Sequence, residues 1–183
     1  GAMVLEAAVV AQQGGAVDEA VARMDALRRG HKIYFVPDNL DNLVKGGRAS
    51  KFQGLATSLL DIKIVVSLSE TGAIEVVHKC RGLKAAATYL ARQLACDAEE
   101  LGSLAYYKLY LKAPHALDEL SRAVDRVVER GALEGSRFLT LGTIGPVIAT
   151  HVGLGAMGLM RFPLECHSEA LGDLSPYLTP HFE

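Results

Sequence analysis

Two apolar runs, Ile62–Leu68 and Ala73–Cys80, are separated only by Ser69-Glu70-Thr71-Gly72. Both are rich in β-branched residues, and Gly72 can take the positive φ that a tight turn requires, so the segment predicts a β-hairpin. Parallel neighbours need a crossover of a dozen or more residues. This one connection therefore excludes an all-parallel sheet. The other β-type runs are Lys32–Val36, Leu104–Leu111 and Arg137–Leu141, with a further short one over Ala156–Met160. Leu104–Leu111 is apolar on both faces apart from Lys108, which predicts an interior strand. Between these runs the apolar residues recur at helical spacing over Met3–Gln12, from Ala16 to Gly30, over Leu83–Cys96 and over Leu117–Val128. Asp38 is placed to cap a short helix across Leu40, Leu43 and Val44 that stops at Gly46-Gly47, and a further helical pattern follows at Phe52, Leu55, Leu59 and Leu60. The expected fold class is α+β (α/β mixed), a mixed β-sheet covered by helices in one domain.

Composition sets the outer limits. The chain has 183 residues, of which 50% are hydrophobic and 22% charged, with a formal net charge of −2. That balance offers no basic excess to attract nucleic acid. No apolar run approaches the roughly 18–20 residues of a membrane-spanning helix. Cys80, Cys96 and Cys166 are odd in number and far apart, so the expectation is reduced thiols in a cytoplasmic protein. Cys166-His167 with His181 matches no zinc spacing, and no metal site is expected. Residues 1–3, Gly-Ala-Met, read as the remnant of an expression tag. Residues 4–162 form the expected domain, and 163–183, with three prolines and no period, an irregular tail. The abrupt start inside a helix suggests a domain excised from a longer protein.

Near the C-terminal end stands Thr150-His151-Val152-Gly153-Leu154-Gly155-Ala156-Met157-Gly158, whose glycines fall in the G-x-G-x-x-G spacing of a dinucleotide loop. Such a loop needs a strand before its first glycine and a helix opening after it, plus an acidic residue about 20 positions on. The sequence supplies none of these, because Gly145-Pro146 interrupts the preceding segment and the following one reads as a strand. The glycines instead permit close backbone approach and left-handed turns, which would hold His151 at a fixed place. Locally, His151 reads first as a satisfied histidine beside a turn, with a ligand contact as the alternative.

A second stretch, Asp41–Ser50 (DNLVKGGRAS), bears on that choice. With Lys79-Cys80-Arg81 and the segment Gly145-Pro146-Val147-Ile148-Ala149-Thr150-His151-Val152-Gly153-Leu154-Gly155, it resembles three motifs of the DegV family in their order, over about Val4 to Met160. The resemblance implies a C-terminal, lipid-binding domain of a two-domain fatty-acid-binding protein. In that reading the acyl chain lies in an apolar tunnel between domains. Its carboxylate is held by hydroxyl groups of an N-terminal domain that this sequence lacks, and by His151, with Thr150, Gly153 and Gly155 forming the ligand loop. Arg48 and Arg81 would flank the head group and meet a fatty acid kinase subunit, to which the acyl carboxylate is presented for phosphorylation. A long-chain fatty acid is then the ligand, no cofactor is needed, and the protein is a non-catalytic carrier.

The residues are chemically suited to this. Burying a long acyl chain gains about 0.8 kcal/mol per CH₂ before ordering costs. Phe52, Leu55, Leu59 and Ile62 are candidate lining residues, although each reads more readily as plain core. Arg48 suits an anionic head group or an acidic partner, and reads equally as a solvated arginine at a helix end. Ser50 is a helix cap by residue type. An exposed tunnel wall would favour a homodimer. Two other classes remain: a docking module for the kinase or for self-association, and an enzyme using His151 as general base. The last is disfavoured by the lack of paired carboxylates or a metal cluster in the core segments.

Overall fold

A computed structural model describes residues 2–38, 40–47, 61–69 and 71–168. The chain opens with an antiparallel helical pair, α1 (Ala2–Gln12) and α2 (Val17–Gly30), followed by β1 (Lys32–Val36) and the short α3 (Asp41–Lys45). The hairpin β2 (Ile62–Leu68) and β3 (Ile74–Arg81) leads into α4 (Leu83–Leu101), then β4 (Leu104–Tyr110) and α5 (Pro114–Glu129). The chain continues as β5 (Arg137–Thr143), α6 (Pro146–Val152), β6 (Met157–Pro163) and a 3₁₀ turn over Leu164–Cys166. The six strands form one mixed sheet in the order β3-β2-β1-β6-β4-β5. All pairings are antiparallel except β4 with β5, which α5 joins as a crossover.

The predicted hairpin is present. Ser69 N–H donates to Ala73 O and Gly72 N–H to Ser69 O, with Gly72 at φ +81°. β4 lies inside the sheet, as its two apolar faces require. Strand period decides what each face buries. Tyr34, Val36, Val65, Leu104, Tyr106, Met157 and Leu159 point to one face and pack on α4 and α5 through Leu90, Leu94 and Leu120. The opposite face carries two separate clusters. Ala105, Tyr107, Leu139 and Phe162 meet Leu27 of α2, whereas Ile64 and Val66 meet Leu40 and Leu43 around α3.

The structure corrects several boundaries. α5 begins at Pro114 rather than Leu117, because proline at the first helical position supplies a start that hydrophobic period does not register. α4 continues to Leu101, five residues past Cys96. Asp38 does not cap α3; the residue before that helix is Leu40, with no side-chain cap. Ala2 and Met3 belong to α1 and pack against the Phe162 cluster. Beyond Pro163 the chain is tied down through His167, which is buried and bonded at Nδ1 to Glu6 Oε1 at 3.1 Å.

Candidate functional site

One end of the sheet gathers the C-terminal ends of β1, β3, β4 and β5 with the starts of β2 and β6. His151 lies here, in the last turn of α6 rather than in a loop. α6 starts at Pro146 after Gly145 and ends at Gly153, whose φ of +80° no side-chain-bearing residue adopts readily. The dinucleotide pattern is thus inverted: a helix closes at the first glycine and β6 follows, so no helix amino end faces a phosphate.

The glycines have steric reasons instead. A Cβ at Gly155 would lie 2.8 Å from Asp38 Cγ, and one at Gly153 2.9 Å from Asp38 Cβ. Asp38 N–H donates to Val152 O at 2.8 Å, so the β1–α3 turn is stitched to the end of α6. At Gly158, in mid-strand, a Cβ would lie 2.7 Å from Tyr34 O and 3.0 Å from Phe35 Cβ. These neighbours belong to paired backbone and cannot swing away. Gly158→Ala is expected to destabilise by about 1–3 kcal/mol, the usual cost of overpacking. Urea denaturation measures this, and an unchanged midpoint would mean that the β1–β6 ladder yields freely.

The described part of the Asp41–Ser50 motif, through Gly46, meets the histidine motif in space. Gly46 closes α3 and packs directly under the imidazole: a Cβ there would collide with His151 Nδ1 and come within 2.8 Å of Cε1. Gly47, at φ +68°, makes the left-handed stop, with its N–H donating to Val44 O at 3.0 Å. The two glycines therefore have different tasks, one admitting the ring and the other turning the chain. His151 Nδ1 is buried with no hydrogen-bond partner, and Nε2 has none among the described residues. With Nδ1 buried and bare, Nε2 is the ring nitrogen left to engage a ligand, and in the tautomer that carries the proton there it is a donor.

The segment that carries this ring exposes apolar side chains. Val147, Ile148 and Leu154 expose 74%, 55% and 60% of their surface, high values for three neighbouring large hydrophobic residues on one short segment. Thr150 is exposed and turns its hydroxyl back to donate to Val147 O at 2.7 Å. Arg81 is exposed at the end of β3, paired in register with Ile62 at the same end of the sheet. Ile62 lines a cavity of about 190 Å³ with Pro37, Asp38, Leu40 and Asp61. That is below the roughly 300–1,000 Å³ of ligand pockets, so this hollow alone does not enclose an acyl chain. Arg48, Ser50, Phe52, Leu55 and Leu59 lie outside the described residues. Sequence reasoning missed Asp38 and Gly46 as the supports of His151, and the apolar rim of Val147, Ile148 and Leu154.

A model of the DegV family, described as uncharacterised protein, matches residues 1–164. The chain belongs to the DegV family. A DegV domain-containing protein of Clostridium acetobutylicum is 32% identical over 162 residues, which are 88% of this chain and 55% of that protein. One of Streptomyces coelicolor is 35% identical over 156 residues, 85% of this chain and 53% of the relative. The chain thus spans about half the length of the curated DegV relatives it matches. Among solved structures, a fatty acid binding DegV family protein from Streptococcus agalactiae aligns with a TM-score of 0.73 and 27% identity, covering 88% of this chain and 54% of that one. A DegV family protein from Thermus thermophilus, described by its fatty acid binding, aligns with a TM-score of 0.73 and 29% identity over 88% and 56% of the two chains. These matches establish the mixed-sheet fold as that of DegV proteins. Among the described residues, no helix is long and apolar enough to cross a membrane, and no cluster of His, Cys, Asp and Glu is arranged to hold a metal.

Proposed function

We propose that this chain contributes to binding a long-chain fatty acid, with the carboxylate held by Nε2–H of His151. The observation that carries this reading is the His151 ring itself, seated on Gly46 with Nδ1 buried and beside the exposed apolar rim of Val147, Ile148 and Leu154. A carboxylate only accepts hydrogen bonds, so the accessible nitrogen must donate. An acyl chain needs apolar surface starting within a few ångströms of that donor, and the rim supplies it. In this reading Thr150 at the end of α6 and the following Gly153 and Gly155 flank the ligand position, and residues 4–162 are the lipid-binding unit. The fatty-acid-binding relatives from S. agalactiae and T. thermophilus support the choice of ligand.

In this reading the protein is a carrier without catalytic residues that presents the acyl carboxylate to a fatty acid kinase subunit. Arg81, exposed at the same end of the sheet, and Arg48 provide the cationic side of that encounter. The same apolar rim favours a second reading, in which this end docks a partner protein or another copy of the chain.

The deciding experiment is native mass spectrometry of the purified chain, followed by calorimetric titration with palmitate. Retained fatty acid and a saturable isotherm are the expected results. His151→Ala should weaken affinity roughly tenfold to a hundredfold, the loss of one hydrogen bond to a charged group. Unchanged affinity in the variant would remove His151 from the site. A wild-type chain that binds no lipid but dimerises would favour the docking reading instead.

A further inference from the structure

The opposite end of the sheet holds a second built cavity. It lies where β4 and β5 begin and β6 ends, and its volume is about 630 Å³, within the range of small-molecule sites. Arg23 comes from α2, Ser103 precedes β4 and Arg137 opens β5, while Glu165, His167 and Ser168 follow β6. Segments from four parts of the chain thus converge on one hollow.

A buried carboxylate organises its floor. Glu6 of α1 is 1% exposed and accepts from Arg23 Nε at 3.1 Å and from Ser168 N–H at 2.8 Å. Its other contact, at 3.1 Å, is His167 Nδ1. Toward an ionised carboxylate Nδ1 must donate, so the neutral ring keeps a bare Nε2. That Nε2 is buried and unpartnered, in a side chain only 2% exposed. Burial lowers the His167 pKa; Glu6 opposes this, while the positive charges of Arg137 and Arg23 add to the lowering.

The cationic groups are incompletely used. Arg23 engages Glu6 through Nε, one of five guanidinium N–H donors. Arg137 is exposed and has no hydrogen-bond or ion-pair partner among the described residues. Among the described residues Glu165 is the one carboxylate lining the hollow, since Glu6 lies beneath it and is already engaged. Leu101 and Leu164 supply an apolar wall beside these groups.

We propose that this cavity is a second ligand site, taking a small organic oxyanion whose carboxylate or phosphate pairs with Arg137 and Arg23 and whose short apolar part rests on Leu101 and Leu164. Arginine forks match the geometry of both anions. The site is independent of the His151 reading, since it lies at the other end of β6 and uses none of the same residues. An anion between the two guanidinium groups would offset their effect on His167, so that ring reports occupancy.

The test is NMR of the His167 imidazole during titration with inorganic phosphate and, separately, with butyrate, at constant ionic strength. A saturable shift is expected, with tighter response to phosphate indicating a phosphate ester and tighter response to butyrate a carboxylate. Arg137→Gln should weaken binding about tenfold or more, and Glu165→Gln should tighten it. Both positions are exposed, so neither change endangers the core. The proposal is overturned if neither anion gives a saturable response by roughly 20 mM, a concentration well above a millimolar Kd. It is overturned equally if Arg137→Gln leaves the affinity unchanged.

Discussion

Replacing Asp97 by alanine is expected to cost about 3–5 kcal/mol of unfolding free energy, the usual loss when one partner of a buried ion pair is removed. Asp97, on α4, accepts from Arg161 Nε at 2.7 Å and from the Tyr34 hydroxyl at 3.2 Å. Arg161 also donates through Nη1 to Gly30 O at 2.8 Å. One carboxylate therefore ties α4 to β1 and β6, and the guanidinium ties β6 to the end of α2. Burial raises the Tyr34 pKa and the Asp97 charge raises it further, so the hydroxyl stays neutral and donates. Both side chains of the pair are about nine-tenths buried, at 10% and 11% exposure, so water cannot replace the lost partner. At roughly 2–4 °C per kcal/mol for a chain of this size, the melting temperature should fall by about 10 °C. Asp97→Leu with Arg161→Met should cost much less than the sum of the single changes, because no charge is left stranded. A single-variant loss below about 1 kcal/mol would show that Arg161 reaches solvent when released.

None of that network is visible in the sequence, where Asp97 is one acid on an amphipathic helix and Arg161 one base in a strand. Strand runs were legible because β-branched stretches stand between turn residues, and Lys32–Val36 agrees with β1 at both ends. The hairpin was legible because four residues leave the chain no other route. α6 was not, since a helix of seven residues with four β-branched side chains carries no period; only Gly145-Pro146 marked its start. Asp38 misled for a physical reason. An aspartate shortly before an apolar helical pattern reads as a cap, yet Gly153 and Gly155 leave space that its carboxylate fills instead. The Glu6–His167 contact joins the two ends of the described fold and leaves no local trace. In the candidate site, chemistry was legible and support was not: His151 stood out by motif, whereas its seat on Gly46 depends on how α3 and α6 pack.

That seat leads to the largest expected functional effect, at a residue that offers no side chain to any ligand. Gly46 has φ −75° and ψ 0°, a conformation open to alanine, so Gly46→Ala should not strain the backbone of α3 itself. Its new methyl, however, would occupy the place of His151 Nδ1. The ring must swing away or α6 must lift, and either moves Nε2 from the carboxylate position. Palmitate affinity should then fall as far as in His151→Ala, roughly tenfold to a hundredfold. Gly47→Ala supplies the contrast. There φ is +68° and nothing lies within 4 Å, so the change strains the backbone without touching the ring. It should lower stability by about 1 kcal/mol and spare affinity. The double variant Gly46→Ala/His151→Ala should bind no worse than His151→Ala alone, because the first change acts only through the second residue. Additive losses would mean that Gly46 serves the ligand by another route, and wild-type affinity in Gly46→Ala would detach the two motifs from each other.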